Sequence, residues 1–322
     1  MSMAAIPQHD IAIMNDSNCV VAVLGAGRMG CGIAQIFCAA GYKVALYDLD
    51  EQSLAKAPFV IREIFELLQQ PVRLDGLQCT GDMAQAVSQA CMVIEAVPEN
   101  LDLKRKVFAQ LEALSPPGCI LATNTSAIPI ASIARDLKAP GRVLGTHFWN
   151  PPHLVPLVEV VQAQCTDAEC IEKVMALLEG VGMSPVHVLR DIPGFIGNRL
   201  QHALKREAIA LVADGVCSAE TLDRVVKEGF GARLAVLGPL EQSDLVGLDL
   251  TLAIHNVLIH DLDRTAGPHP YLENKVKNGE TGMKAGMGFR SWSPEEAAQT
   301  KERLDTCLAV NARARLAARN QS

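Results

Sequence analysis

His147 and Glu159 are the pair in this chain best suited to moving a proton: an imidazole, which titrates near neutral pH, and a carboxylate able to orient it. They lie within the stretch Gly145-Thr-His-Phe-Trp-Asn-Pro-Pro-His-Leu-Val-Pro-Leu-Val-Glu159 and sit on two neighbouring apolar runs. Upstream, Gly25-Ala-Gly-Arg28-Met29-Gly30 has the spacing of a dinucleotide-binding turn. The first glycine permits the tight turn, Gly27 lets the backbone approach a pyrophosphate, and Gly30 allows close helix-strand packing. Together these residues imply hydride transfer, in which a base takes a hydroxyl proton as the carbon gives its hydride to a nicotinamide.

The elements around them fit. Val20 to Leu24 reads as a short buried strand, followed by the glycine turn, an apolar-periodic helix to about Ala40 and a second buried strand from Lys43 to Tyr47. Asp48, 18 residues past Gly30, stands where a carboxylate accepts hydrogen bonds from the adenosine ribose. The same charge repels a 2′-phosphate, so the cofactor expected is NAD rather than NADP. The competing reading of Asp48 is a turn acid at a strand end.

Glu51 to Gln70 has a helical pattern, and Pro71 to Gly76 turns the chain. Cys91 to Val97, Cys119 to Ala122, Val143 to Phe148, Leu154 to Val161 and Pro185 to Leu189 read as further strands, with a helix from Glu172 to Glu179. Alternating strands and helices predict an α/β fold with a parallel, doubly wound, Rossmann-type sheet. Past Pro193 the pattern becomes helical, over Arg199 to Asp214, Ser218 to Lys227, Leu245 to Asp263 and Pro294 to Arg319, which places a boundary near Asp191-Ile-Pro-Gly194. Ser218 is expected as an N-cap without a full capping box, because Thr221 stands where Glu or Gln is needed.

At 322 residues and 49% hydrophobic, the chain can bury a large core in about two domains. A net charge of −7 and a pI near 5.6 exclude a basic stripe for nucleic acid. No apolar run is long enough to cross a bilayer, which takes roughly 18 to 20 residues, and the opening segment has no apolar h-region, so a cytoplasmic protein with no membrane partner is expected. The ten cysteines are scattered without metal-ligand spacing, and are expected to be reduced thiols with no metal bound.

Six motifs in order, Gly25-Ala-Gly-Arg-Met-Gly30, Glu95-Ala-Val-Pro-Glu-Asn100, Asn124-Thr-Ser126, His147-Phe-Trp-Asn-Pro151, Pro193-Gly-Phe-Ile-Gly-Asn-Arg199 and Gly238-Pro-Leu-Glu241, resemble the L-3-hydroxyacyl-CoA dehydrogenase superfamily. The resemblance implies an N-terminal Rossmann-type domain, an all-helical C-terminal domain that dimerises, and an active site in the cleft between them. The expected organisation is a polar leader over residues 1–18, an NAD-binding domain over 19–191 and a helical substrate and dimerisation domain over 192–322. The resemblance makes His147 the catalytic base, Glu159 its orienting carboxylate, and Ser126 and Asn198 the groups holding the reacting oxygen. Read alone, His147 is a polar residue at a strand end and Asn198 a helix N-cap. Ala96, Glu99, Lys104, Asn124 and Lys284 match positions that touch the cofactor or its strand-end loop; without the resemblance, Glu99 and Lys104 read as a solvated face. Asn150 either contacts the nicotinamide or supports its turn, the second being favoured. His153, His187 and His202 match no catalytic position.

The substrate reading divides. In the acyl-CoA enzymes a long helix-turn-helix arm after the second strand carries lysines for the CoA phosphates, whereas here residues 51–81 hold only Lys56, Arg62 and Arg73. Asn150-Pro-Pro152 and Gly229-Phe-Gly-Ala-Arg-Leu-Ala-Val-Leu-Gly-Pro239 resemble the L-gulonate 3-dehydrogenase branch, where the Arg233 guanidinium would hold a free carboxylate bidentately. A surface salt bridge is the alternative for Arg233. Asp244-Leu-Val-Gly-Leu-Asp249 and Thr281-Gly-Met-Lys-Ala-Gly-Met-Gly-Phe289 follow the acyl-CoA branch, and Trp149 stands where those enzymes often carry a smaller aromatic. The reading is an NAD-dependent dehydrogenase of an L-3-hydroxyacyl-CoA, narrowly ahead of a free 3-hydroxy acid held by Arg233. A retired NAD-binding structural protein and a cofactor-binding regulator are the rivals from other classes, and the intact set Ser126, His147, Glu159 and Asn198 argues against both.

Overall fold

A computed structural model describes residues 19–319. The 1–18 leader lies outside the described residues. The chain divides into two compact units, the described part of Met1–Asn198 with that of Asp305–Ser322, and Arg199–Leu304.

The first unit alternates strands and helices: β1 Val20–Leu24, α1 Arg28–Ala39, β2 Lys43–Tyr47, α2 Glu51–Leu67, β3 Leu77–Thr80, α3 Met83–Val87, β4 Ala90–Glu95, α4 Leu101–Leu114, β5 Ile120–Thr123, α5 Ile130–Ala134, β6 Val143–Phe148, β7 Leu157–Val161, α6 Ala168–Gly180 and β8 Ser184–Val188. They form one eight-stranded sheet in the order β3-β2-β1-β4-β5-β6-β7-β8. Successive residues of a strand face opposite sides. Accordingly Val21 and Val23 of β1 join one core with Ile33, Phe37, Ile61 and Phe65, while Ala22 and Leu24 join a second with Phe108, Leu111 and Ile133. Helices on both faces are what a doubly wound sheet requires.

The sheet is parallel except that β6 and β7 run antiparallel, with His147 directly opposite Glu159. This reversal departs from an all-parallel expectation. Leu154 and Val155 donate their amides to the Pro151 carbonyl, so the run from Leu154 turns first and becomes strand only at Leu157. The strand Leu77–Thr80 went unread in the sequence because its four residues are only half-buried and lack an apolar run.

The helices of the second part are α7 Gly197–Ala213, α8 Ala219–Glu228, α9 Pro239–Val246, α10 Leu248–Leu258, α11 Pro270–Lys277 and α12 Pro294–Arg319. Ser218 caps α8 by accepting the Thr221 amide. The expected helix from Leu245 to Asp263 is broken at Gly247, whose φ of 98° lies in the left-handed region open to glycine. Within Arg199–Leu304, Glu207 accepts the Asp263 amide at 2.7 Å, and Lys275 pairs with Glu280 at 2.7 Å.

The end of α12 belongs to the first unit. Ala309 and Ala312 pack with Ile64, Leu68 and Leu154. Arg313 donates to the Leu67 carbonyl at 2.6 and 2.8 Å, at the C-terminal end of α2 where carbonyls lack helical partners. The expectation of ten reduced thiols is corrected at Cys19 and Cys91, which form a disulfide beside adjacent strands with their Cα atoms 5.8 Å apart; the other eight are free. Among the described residues no helix is long and apolar enough to cross a membrane, and no cluster of three or more His, Cys, Asp or Glu could hold a metal.

Candidate active site

The glycine turn follows β1 directly. Gly25 has φ 106°, and a Cβ there would stand 2.8 Å from the Ala96 carbonyl oxygen. A Cβ on Gly30 would collide with the Gly25 carbonyl oxygen, so α1 can approach the turn only without a side chain there. Nothing lies within 4 Å of a Cβ built on Gly27, and α1 has neither a side-chain cap nor an acid in its first turn. Its first amides and dipole therefore suit an anion. Arg28 is exposed at the helix start and Met29 packs partly against the core. Asp48, directly after β2, accepts the Ala26 amide at 2.6 Å and the Asp50 amide at 2.9 Å, which fixes its carboxylate beside the turn. The turn, the open approach at Gly27 and the acid fit a dinucleotide.

Behind the turn lies a buried polar network. Glu95, fully buried at the end of β4, accepts from Lys104 at 2.7 and 3.0 Å, from Thr123 at 2.7 Å and from the Val97 amide at 2.7 Å. Lys104 is 1% exposed and also donates to the Val97 carbonyl at 3.3 Å. Glu99, 3.5 Å from the same ammonium, accepts from the Thr125 hydroxyl at 2.6 Å and from the Ser126 and Ala127 amides at 3.0 and 3.1 Å. Burial pushes the Glu99 carboxyl up, but these hydrogen bonds and the Lys104 charge outweigh it and hold the group below its usual range. Of the two expected contacts of Lys104, the cofactor or its strand-end loop, these bonds are to the loop. Its ammonium is engaged in the interior, where it shapes the loop that presents Ser126.

His147 and Glu159 meet across the antiparallel strands. His147 Nδ1 lies 2.8 Å from Glu159 Oε2, and both side chains are buried. Glu159 Oε1 accepts the Ile196 and Gly197 amides at 2.9 and 3.0 Å, at the start of α7. Burial raises the Glu159 carboxyl, and the bonds from His147, Gly197 and Ile196 lower it further than burial raises it, so it is held below its ordinary value. Asn198 is inside the first turn of α7 rather than capping it, and its Nδ2 donates to the Ser126 carbonyl at 3.0 Å. The His147–Glu159 pair, bonded to the Ile196 and Gly197 amides, and the Asn198–Ser126 bond thus lie on either side of the Gly197–Asn198 peptide.

Asn124 accepts the Phe148 amide at 2.8 Å, tying β5 to the residue after His147. His153 is pushed down to about 4 by burial, with the Arg28 charge acting in the same direction. Arg233 ends a 3₁₀ turn and Lys284 lies in another, both within Arg199–Leu304. Sequence reasoning passed over Glu95, Thr123, Thr125 and Phe195. A glutamate closing an otherwise apolar strand was the readable signal for the first; the others become visible only through their contacts.

Two family models match the chain: 3-hydroxyacyl-CoA dehydrogenase, NAD binding domain, over residues 20–192, and 3-hydroxyacyl-CoA dehydrogenase, C-terminal domain, over residues 194–292. A 5-formyl-3-hydroxy-2-methylpyridine 4-carboxylate 5-dehydrogenase of Mesorhizobium japonicum is 33% identical over 297 residues, covering 90% of this chain and 96% of its own. A probable 3-hydroxybutyryl-CoA dehydrogenase of Bacillus subtilis is 38% identical over 279 residues, covering 84% and 96%. A crystal structure of a 5-formyl-3-hydroxy-2-methylpyridine 4-carboxylic acid 5-dehydrogenase, described as an NAD+ dependent dismutase, is similar with TM-score 0.86 and 32% identity, covering 92% of this chain and 98% of that one.

Proposed function

Because the chain belongs to the 3-hydroxyacyl-CoA dehydrogenase family and is an NAD-dependent oxidoreductase, we propose that it interconverts an L-3-hydroxyacyl-CoA and its 3-keto form, with His147 as the base. The observation that carries this reading is the His147–Glu159 pair, 2.8 Å apart and buried. With Nδ1 engaged by Glu159, Nε2 is the nitrogen that takes the hydroxyl proton. Glu159 is itself fixed by two amides, so the imidazole keeps its orientation as its charge changes. Ser126 and Asn198 hold the reacting oxygen, and Asp48 with the glycine turn binds and orients the dinucleotide. When bound, NAD supplies the hydride acceptor.

A free 3-hydroxy acid is the second reading. Two observations favour it: the segment between β2 and β3 contains the single helix α2 and no helix pair, and the Mesorhizobium japonicum relative is named for a pyridine carboxylate. Arg233 would hold the carboxylate. The discriminating experiment is NADH oxidation with acetoacetyl-CoA and, in parallel, with free 3-keto acids, using wild type, Arg233→Ala and His147→Gln. Turnover of the thioester alone, unchanged in Arg233→Ala, is the expected result and places the enzyme in fatty-acid metabolism. Turnover of free acids alone, lost in Arg233→Ala, replaces it with the second reading. His147→Gln is expected to lower kcat by roughly a hundredfold to ten-thousandfold while NADH still binds; collapse of NADH binding overturns the role given to His147.

The family relationship and the apolar surface of α10 also support a homodimer. Leu248, Leu250, Leu252, Ile254, Val257 and Leu258 are each at least 49% exposed in the single chain. Exposed apolar surface gathered on one helix in this way calls for burial.

A further inference from the structure

Trp149 lies two residues beyond His147 and touches both parts of the proton-transfer assembly. Its ring centroid is 5.5 Å from that of His147, with the planes inclined at 53°. On the other side its six-membered ring lies against Gly197, where a Cβ would collide with Cζ2 and stand 3.0 Å from Cη2. Gly197 is the residue whose amide holds Glu159, and it precedes Asn198. Phe195 flanks the imidazole as well, at 5.7 Å between centroids, and is fully buried with φ 49°.

The indole brings a polar group into this place. Its Nε1 is buried and finds no hydrogen-bond partner among the described residues, a condition that destabilises a fold. A phenylalanine would remove the orphaned donor. What it would not do is reach from the imidazole to Gly197, since only the second ring of the indole meets the glycine. The missing side chain at position 197 and the large one at 149 are thus complementary in shape.

On this basis we propose that Trp149 is a positioning residue: wedged between His147 and Gly197, it sets the distance between the base and the start of α7, and with it the placement of His147 relative to Asn198. The inference rests on the reading of His147 as the base. An aromatic contact of this kind has a preferred tilted geometry, and it adds to the Glu159 carboxylate and the Phe195 ring a further link between β6 and the start of α7. Fixing both ends of that link holds the imidazole for transfer.

The test is a cycle of Trp149→Phe, Gly197→Ala and the double variant, read by kcat, KM and NADH affinity. Trp149→Phe is expected to lower kcat on the order of tenfold to hundredfold, the scale of a misplaced catalytic group, with NADH affinity and KM little changed. Gly197→Ala alone should do the same, because its methyl group displaces the indole. In the double variant the smaller ring makes room for that methyl, so its kcat should be higher than that of Gly197→Ala alone, a coupling that independent sites do not show. Unchanged kcat in Trp149→Phe overturns the proposal, as does a loss in the double variant equal to the product of the two single losses. If either variant proves unfolded by circular dichroism, Trp149→Tyr, which keeps one ring against His147, supplies the same kcat comparison. Loss of the underlying reading is distinguishable, since it would appear as retained turnover in His147→Gln.

Discussion

Glu159 shows how much a single carboxylate can be asked to do. It accepts one bond from a cross-strand histidine and two from helix amides, and these outweigh the upward push of burial. A carboxyl whose folded value is depressed contributes stability that is fully present above its unfolded value and is lost as pH falls through the folded value. Glu159→Gln should therefore flatten part of the acid limb of a Tm-against-pH curve, and should lower kcat at neutral pH because the neutral amide no longer stabilises a charged imidazole. An acid limb identical to that of wild type would show that Glu159 is not a source of the stability. The side chain was legible in the sequence as a partner for His147. Its bonds to Ile196 and Gly197 were not, because those residues lie more than 35 positions away.

At the level of elements, the loop between β5 and α5 takes its shape from groups belonging to β4 and α4. Glu95 and Lys104 form a buried ion pair, and Glu99 reaches from the start of α4 to the Ser126 amide. Truncating one partner of such a pair strands the other charge in the interior, which costs about 3–5 kcal/mol. Lys104→Met should destabilise the protein on that scale in chemical denaturation, and adding Glu95→Gln should recover part of the loss. A Lys104→Met variant as stable as wild type would mean that water reaches Glu95. The sequence presented Lys104 as an exposed residue near a helix start, since its spacing fits a solvated face equally well. Burial depends on β4 and β5 closing over it, and helical periodicity carries no information about that. The break at Gly247 and the antiparallel β7 were hidden for related reasons: one depends on a backbone angle, the other on which strand a short apolar run pairs with.

On the scale of the whole molecule, the exposed apolar faces of α10 are the feature most in need of a partner. If two copies associate through them, light scattering will give twice the 34.5 kDa chain mass, and Tm will rise with protein concentration, as mass action requires. Leu252→Glu should then shift the population toward monomer. A monomer with a concentration-independent Tm would reject the dimer. The sequence by itself determined the α/β class, the glycine turn with its acid and the change to helix beyond Pro193. Each of these is written in local spacing, in strands of period two, helices of period 3.6 and glycines where the backbone needs them. Tertiary structure alone decided that Lys104 is interior, that Asn198 bonds Ser126 instead of capping its helix, that Trp149 bridges His147 and Gly197, and that the end of α12 packs on α2. Such contacts join residues far apart in the chain, and what fixes them is the filling of space between packed elements, which no local pattern encodes.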